Sequence, residues 1–428
     1  MVQSEQELPE TARRELERYF SSHDESFELK SGDHVVVCTH SLHPGGAERQ
    51  WIYLAQGLDA AGYRVTFVTF SSLLGPGGHY LPLLKRSGIR LFDTSTLDKF
   101  NVARNSPRVP HLESVLAATG IPLIDHLRRL TTAFNSLKPR AVFAQLDDGN
   151  LLCGVSARLS NVPRVVLSFR NYNPSRLGWF FEEWYLPCYT LLATSAAVRF
   201  TGNSQDANND YADWIGIPRK RILHIPNVVD SEWFCLPNPS EVAELRARLG
   251  IASNQPVVLG VFRLHPEKDP ETFLHVVRHI INEVPNLKVL LAGVGPMKSQ
   301  LESKIIEQGI EHNFQFLGLR SDINVLMALA DIVLLTSRME GMPNVLLEAQ
   351  LMETPVVATC TRGAAQVVRN SITSILCPIG DVQSLANACI RLLRDKSRAR
   401  EMGAAGRCYV LENFPKAVLA ERYIKALE

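Results

Sequence analysis

From Asp33 onward, short apolar runs rich in β-branched residues alternate with stretches whose apolar positions repeat at helical spacing. The runs HVVVCT, YRVTFVTF, AVFAQL, RVVLSF, AVRFTGN and RILHIPN are interleaved with helical patterns over RQWIYLAQGLDAAG, over 149–159 and over a long stretch from about Trp179. Such alternation builds a parallel α/β sheet, because each crossover helix covers a sheet face. Between about Asp230 and Pro256 the pattern breaks into a mixed connector. A second alternation follows: VVLGVFRL, a helix over 270–283, LKVLLAG, a helix after Pro296, FQFLG, DIVLLTS, a helix at Asn344, PVVAT, SILCP and a helix from Val382. The pattern predicts an α/β protein of two doubly wound, Rossmann-like units in series. Their expected bounds are a polar helical or frayed extension at 1–30, an N-terminal domain at 31–230 and a C-terminal domain at 231–410. A terminal helix at 411–428 carries apolar residues at helical spacing and is expected to pack back on the N-terminal domain. In open parallel sheets, ligands bind beyond the carboxyl ends of the strands at the topological switch point. The expected site is therefore a cleft between two sets of strand ends.

Length agrees with two domains, since 428 residues exceed the roughly 250–300 at which one hydrophobic core stops growing. Lys and Arg number 45 against 44 Asp and Glu, so no global field recruits nucleic acid or an anionic membrane. The eight cysteines form no CxxC and lie mostly in apolar stretches, which predicts buried free thiols in a reducing compartment. The first twenty residues lack an apolar core, and no run approaches the roughly 18 apolar residues of a spanning helix. The expectation is a cytoplasmic protein, with peripheral contact at the inner face of a membrane left open.

Several strand ends carry candidate chemistry. SLHPGGAERQW follows a strand and opens a helix, so backbone N–H groups around Gly45 and Gly46 can face an anion. The same turn is also an ordinary βα connection. In VFRLHPEKDP, Arg263 and Lys268 stand five residues apart just past a strand, a spacing that lets a guanidinium and an ammonium converge on one diphosphate. LLAGVGPM places Gly293 and Gly295 at another strand end, where a base or ribose can approach backbone. In TSRMEGMPNVLLEAQLMETPVVAT, Asn344 is expected to cap a helix from Val345, with Glu340 in the preceding loop and Glu348 about one turn in. Two carboxylates near a helix start suit hydrogen bonds from the hydroxyls of a polyol better than a glycosidase acid–base pair.

These residues resemble a known family. A helix-start segment with E-x7-E, an R-x4-K loop and a Gly-Gly turn together resemble the retaining GT-B nucleotide-sugar glycosyltransferases, the family 4-like group, over roughly Asp33 to the C-terminus. The resemblance implies that Arg263 and Lys268 stabilise the donor diphosphate as the glycosidic bond breaks. It implies that Glu340 holds sugar hydroxyls beside the backbone of Gly341, Met342, Pro343, Asn344 and Val345, and that Glu348 binds the ribose. It further implies that Gly45 and Gly46 approach the diphosphate and that the backbone near Gly293 and Arg320 meets the base. IPNVVD matches the family's PNGVD except that Val228 replaces Gly. Many relatives place a histidine after the fourth strand, where this chain has Gln145, which hydrogen-bonds but carries no charge. Asp148, Arg170 and His43 are weaker candidates for the acceptor or sugar, and Asp147 with Asp148 also suit helix capping. QLDDGN is not a metal-binding DxD, so neither a metal nor another cofactor is expected.

The aromatics of SFRNYNPSRLGWFFEEWYLP, with Arg176, suit either core packing or an acceptor groove. The resulting expectation is a retaining transfer of a hexose-type sugar from a nucleoside diphosphate, uridine favoured, to a glycan or lipid-linked oligosaccharide in envelope or polysaccharide synthesis. A GT-B epimerase or phosphorylase, or a non-catalytic nucleotide-sugar binder, is the alternative. No GxGxxG follows a strand, which speaks against nicotinamide use.

Overall fold

The computed structural model describes residues 20, 27–96, 121–178 and 181–428. The expected extension at 1–30 therefore lies almost wholly outside the described residues, as do Trp179 and Phe180. The chain divides into two units, one of residues 1–226 with 417–428 and one of 227–416.

The first unit is built on seven strands: β1 (His34–Thr39), β2 (Arg64–Thr69), β3 (Arg90–Asp93), β4 (Ala141–Gln145), β5 (Arg164–Phe169), β6 (Val198–Gly202) and β7 (Ile222–His224). They run in the order β3-β2-β1-β4-β5-β6-β7, and each neighbouring pair is parallel. Every residue of β1, β4 and β5 is buried, as expected for central strands covered on both faces. The chain winds outward from β1 to β3 and returns to β4, so the switch point lies between β1 and β4. The helix Gly46–Ala60 covers one face, and the last helix, Leu419–Lys425, packs on it. There the buried ring of Trp51 meets Tyr423 edge-on at 5.4 Å.

The second unit repeats the plan with β8 (Val257–Val261), β9 (Lys288–Ala292), β10 (Phe314–Gly318), β11 (Ile332–Leu335), β12 (Val356–Thr359) and β13 (Ser374–Cys377), in the order β10-β9-β8-β11-β12-β13 and again parallel. Its switch point lies between β8 and β11. The helix Pro270–Glu283 turns Phe273, Leu274, Val276, Val277, Ile280 and Ile281 to the sheet, at the i, i+3, i+4 and i+7 spacing of an amphipathic helix.

The cysteines depart in part from expectation. All eight are free, but Cys235, Cys360 and Cys408 are exposed, because each stands outside the sheet in a loop or on the outer side of a helix. Cys38 of β1 and Cys153 of the helix Asp147–Leu159 face each other in the interior, and enclosure pushes the Cys38 thiol upward. Among the described residues, no helix is long and apolar enough to cross a membrane.

Candidate active site

At the end of β8 the backbone enters a loop that ends in the short 3-10 turn Pro266–Lys268 and then the helix Pro270–Glu283. Asp269 joins the two with a left-handed backbone, φ 48°, and its buried carboxylate caps the helix by accepting from Thr272 N (3.2 Å) and Thr272 Oγ1 (2.7 Å). Arg338, just past β11, donates from Nε to Asp269 Oδ2 at 2.7 Å and from its backbone N to Glu267 O at 2.9 Å. Thr336 Oγ1 donates to Asp269 O at 3.0 Å. The loops after β8 and β11 are thereby tied together on the two sides of the switch point.

This tie brings three of the sequence candidates into one place. Lys268 Nζ donates to Glu340 Oε1 at 2.6 Å, and Ser337 Oγ donates to the same oxygen at 2.6 Å. Arg263, whose side chain is half exposed, donates from Nη2 to Glu267 Oε1 at 2.9 Å. Lys268 and Glu340 are thus direct partners, whereas the sequence had given them separate parts of a ligand.

After Glu340 the chain runs through Gly341, Met342 and Pro343 into the helix Asn344–Leu351. Asn344 is the first helical residue rather than its cap, because Pro343 takes the N-cap position and the Asn344 side chain is turned aside to accept from Asn227 Nδ2 at 2.9 Å. Asn227 Nδ2 also donates to Met342 O at 3.1 Å and so fixes the approach to the helix. The first N–H groups of any helix lack intrahelical acceptors, which leaves those near Asn344 and Val345 suited to an anion. Glu348 lies in the second turn and is buried. The Glu340–Gly341 backbone is buttressed by Gly363, where a Cβ would stand 2.2 Å from Gly341 O and 2.5 Å from Glu340 O.

Gly293 has a different reason from the one expected. Its φ of 147° and the Phe262 carbonyl, 1.9 Å from where a Cβ would sit, show that its bareness admits the neighbouring loop. Phe262 N and Leu264 N donate to Ala292 O and Val294 O, which keeps the two loops in register. Arg320, beyond β10, is held by both oxygens of Asp322 at 2.8 and 2.5 Å, leaving only its backbone as a candidate contact.

In the first unit, Gly45 occupies the N-cap of the helix Gly46–Ala60. Glu48 Oε2 lies 2.0 Å from the place of a Gly45 Cβ, so the helix's own first-turn carboxylate covers its start. His43 is exposed, and its carbonyl accepts from Gly45 N at 2.7 Å. Gln145 ends β4 fully buried: Nε2 donates to Thr39 Oγ1 at 3.3 Å, and Oε1 has no partner among the described residues. Arg170 lies inside the unit, its guanidinium 5.2 Å from the Trp51 ring centre and bonded to Tyr423, so packing withdraws it from the acceptor role expected of it. Arg176 is likewise engaged by Asp210.

Asp147 and Asp148 open the helix Asp147–Leu159 as its first two residues instead of capping it. Asp147 Oδ1 accepts from Tyr189 OH and Tyr211 OH, each at 2.8 Å, and Asp148 Oδ1 accepts from Tyr185 OH at 2.6 Å. Tyr185, Tyr189 and Tyr211 are all buried, so Tyr185, from the aromatic stretch after β5, is core together with Tyr189 and Tyr211. Enclosure pushes the Asp147 carboxyl up to about 6, against the two tyrosine bonds that favour its charge. A carboxyl raised in the folded state holds more protons there than in the unfolded chain between its ordinary value and 6, so this group's contribution to stability falls as pH rises through that window. Asp147→Asn removes the ionisation and keeps an acceptor for the tyrosines. Its stability relative to the parent should rise by about 2–3 kcal/mol between pH 4 and 7, given about 1.4 kcal/mol per pH unit. Denaturant titrations of both proteins at the two pH values measure this, and a difference independent of pH would refute it.

Ser337, Glu267, Asp269, Asn227 and Gly363 escaped the sequence reading. Glu267 and Asp269 inside the R-x4-K loop, Asn227 inside IPNVVD and Ser337 at the start of the E-x7-E segment had a positional signal. Gly363 is recognisable only by what the fold sets beside it. Among the described residues, no group of three or more His, Cys, Asp or Glu could hold a metal ion.

Comparison with known proteins bears on the chain as a whole. The family described as Glycosyltransferase Family 4 matches residues 44–233, and that described as Glycosyl transferases group 1 matches residues 241–408. The Vi polysaccharide biosynthesis protein VipC/TviE of Salmonella typhi is 25% identical over 390 residues, 83% of this chain and 64% of its own length. The UDP-Gal:alpha-D-GlcNAc-diphosphoundecaprenol alpha-1,3-galactosyltransferase of Escherichia coli is 24% identical over 337 residues, 74% of this chain and 87% of its own. The matched stretches cover between 53% and 64% of the first curated relatives. The crystal structure of Anabaena Alr3699/HepE in complex with UDP-glucose superposes with a TM-score of 0.75 at 22% identity, over 92% of this chain and 99% of that one. Two doubly wound parallel-sheet units, matched in turn by these two families and by this fold, establish that the chain belongs to the family 4-like glycosyltransferases of the GT-B fold.

Proposed function

We propose that this protein transfers a hexose-type sugar from a nucleoside diphosphate, UDP favoured, to a glycan or lipid-linked glycan in polysaccharide or glycolipid synthesis. The reading rests on one observation: Lys268 donates to Glu340 between the loops after β8 and β11, on the two sides of the switch point of the second unit, with Arg263 in the same loop as Lys268 and the helix Asn344–Leu351 starting four residues after Glu340. Two cations and a helix start suit a diphosphate, and a carboxylate beside them suits sugar hydroxyls. In this reading Arg263 and Lys268 stabilise the charge that develops on the leaving diphosphate, a task they perform as fixed protein cations. Glu340 is partly released from Lys268 and accepts from hydroxyls of the transferring sugar. Glu348 accepts from the ribose, and the backbone around Gly293 and Arg320 borders the base. Gly45, Gly46, His43, Gln145 and Asp148 stand on the first unit as candidates for the diphosphate, the sugar and the acceptor. The Gln145 Oε1 atom is buried and without a partner among the described residues, which makes it a candidate acceptor for a hydroxyl.

No side chain of this set is an evident nucleophile for a covalent intermediate. Retention of configuration is taken from the family resemblance, and without such a nucleophile we favour attack and departure on one face of the sugar, with the diphosphate oxygen as base. The galactosyltransferase named above uses UDP-Gal and a diphosphoundecaprenol-linked acceptor, and the HepE crystals hold UDP-glucose. These support uridine and a lipid-linked glycan, while the GDP-mannose-dependent phosphatidylinositol monomannoside mannosyltransferases to which the chain is also similar support guanosine. A thermal-shift screen of UDP-, GDP-, ADP- and TDP-sugars tests the donor, because a ligand that binds only the folded state raises Tm by mass action. A UDP-sugar at a hundred times its Kd should stabilise by about 2.7 kcal/mol. A shift with a GDP-sugar alone would move the assignment to guanosine, and no shift with any of the four would remove the donor site.

A further inference from the structure

Glu267 lies inside the R-x4-K loop, between the two residues assigned to the diphosphate. It is buried, although it sits in a surface turn. One carboxylate oxygen accepts from Arg263 Nη2 at 2.9 Å, and the other, Oε2, is enclosed without any partner among the described residues. Its backbone is fixed as well, since Glu267 O accepts from Arg338 N at 2.9 Å and Lys268 N donates to His265 O at 3.0 Å. The carboxylate is thus an immobile point on which a half-exposed guanidinium rests.

Stability alone does not account for this residue. A buried carboxylate with an unsatisfied oxygen costs more than an apolar side chain of the same volume. An unanchored arginine at a half-exposed position samples many rotamers, and that freedom is lost whenever it must meet a ligand in one orientation. A fixed acceptor behind the guanidinium removes this loss and holds the planar fork in one orientation for a diphosphate.

We propose that Glu267 is a positioning residue, which acts through Arg263 and orients its guanidinium toward the donor diphosphate. The assignment rests on the donor-site reading given above and adds to it the residue that presets the geometry of one cation.

The test is a double-mutant cycle on the full chain, with UDP binding measured by calorimetry and Tm recorded for each variant. Arg263→Ala should weaken UDP binding about tenfold or more, as expected for loss of a charge-assisted bond. Glu267→Met removes the acceptor while filling its space. It should keep or raise Tm, because the orphaned oxygen is gone, yet weaken UDP binding by about three- to tenfold. Glu267→Gln retains an acceptor for Arg263 and should recover most of the affinity. In the Arg263→Ala background, Glu267→Met should have no further effect, which separates positioning from a general role in shaping the loop. Wild-type affinity in Glu267→Met overturns the proposal, and so does an equal loss in both backgrounds. Should Glu267→Met fail to fold, the cycle is run with Glu267→Leu under the same criteria. If the parent protein binds none of UDP, GDP, ADP or TDP, the donor-site reading itself fails, a result distinct from either of those.

Discussion

Glu340→Gln is expected to lower kcat/KM for sugar transfer by about 100- to 1,000-fold, equivalent to roughly 3–4 kcal/mol of lost transition-state stabilisation. The carboxylate is buried, accepts from both Lys268 and Ser337, and stands at the switch point of the second sheet. An amide of nearly the same shape still accepts from Ser337 but no longer balances the Lys268 charge or draws sugar hydroxyls with ionic strength. The folded state should lose only about 1 kcal/mol, the scale of one altered hydrogen bond, because Lys268 keeps partial access to water. Activity with a responsive nucleotide sugar and an acceptor extract, alongside Tm, separates the two effects. Retained turnover would remove Glu340 from the site, and loss of folding would recast it as a structural ion pair.

Gly363→Ala should destabilise the second unit by about 3 kcal/mol or more, near or above the usual cost of overpacking, since the clash is with backbone rather than a yielding side chain. The added methyl would stand 2.2 Å from Gly341 O and 2.5 Å from Glu340 O. Relief requires the loop that carries Glu340 to move, so nucleotide-sugar binding should fall along with stability. For a unit of this size the loss corresponds to a Tm lower by roughly 6–12 °C. Gly250→Ala is a useful control, because nothing lies within 4 Å of its added carbon, although its φ of 68° imposes some strain of its own. A Gly363→Ala protein with parental Tm and parental binding of the nucleotide sugar would show that the loop accommodates the methyl, and the buttressing role would then fall.

The two parallel sheets were legible in the chain because central strands, buried on both faces, appear as short, mostly apolar runs such as AVFAQ, IVLL and VVAT. Pro270 and Glu283 bound a helix just where its amphipathic spacing begins and ends. Strand β3 was not legible: RLFD is short and half polar, and it is a strand only because β2 offers its edge. The connector after Asp230 concealed the helix Pro239–Arg248, which has one fully buried residue, Leu245, and so little apolar periodicity. At the site, Arg263, Lys268 and Glu340 could be singled out by position and charge. That Lys268 bonds Glu340, 72 residues away, could not, nor could the burial of Arg170 against Trp51.

By itself, the order of apolar and polar residues determined that this protein folds as α/β units and which strand ends carry charge, because side-chain periodicity and turn chemistry are local properties. Only the tertiary structure decided which of those charges meet, which are spent on internal partners, and why Gly363 and Glu267 matter. Such pairings depend on the register of strands and on loops distant in sequence, and no local pattern encodes the distance between them.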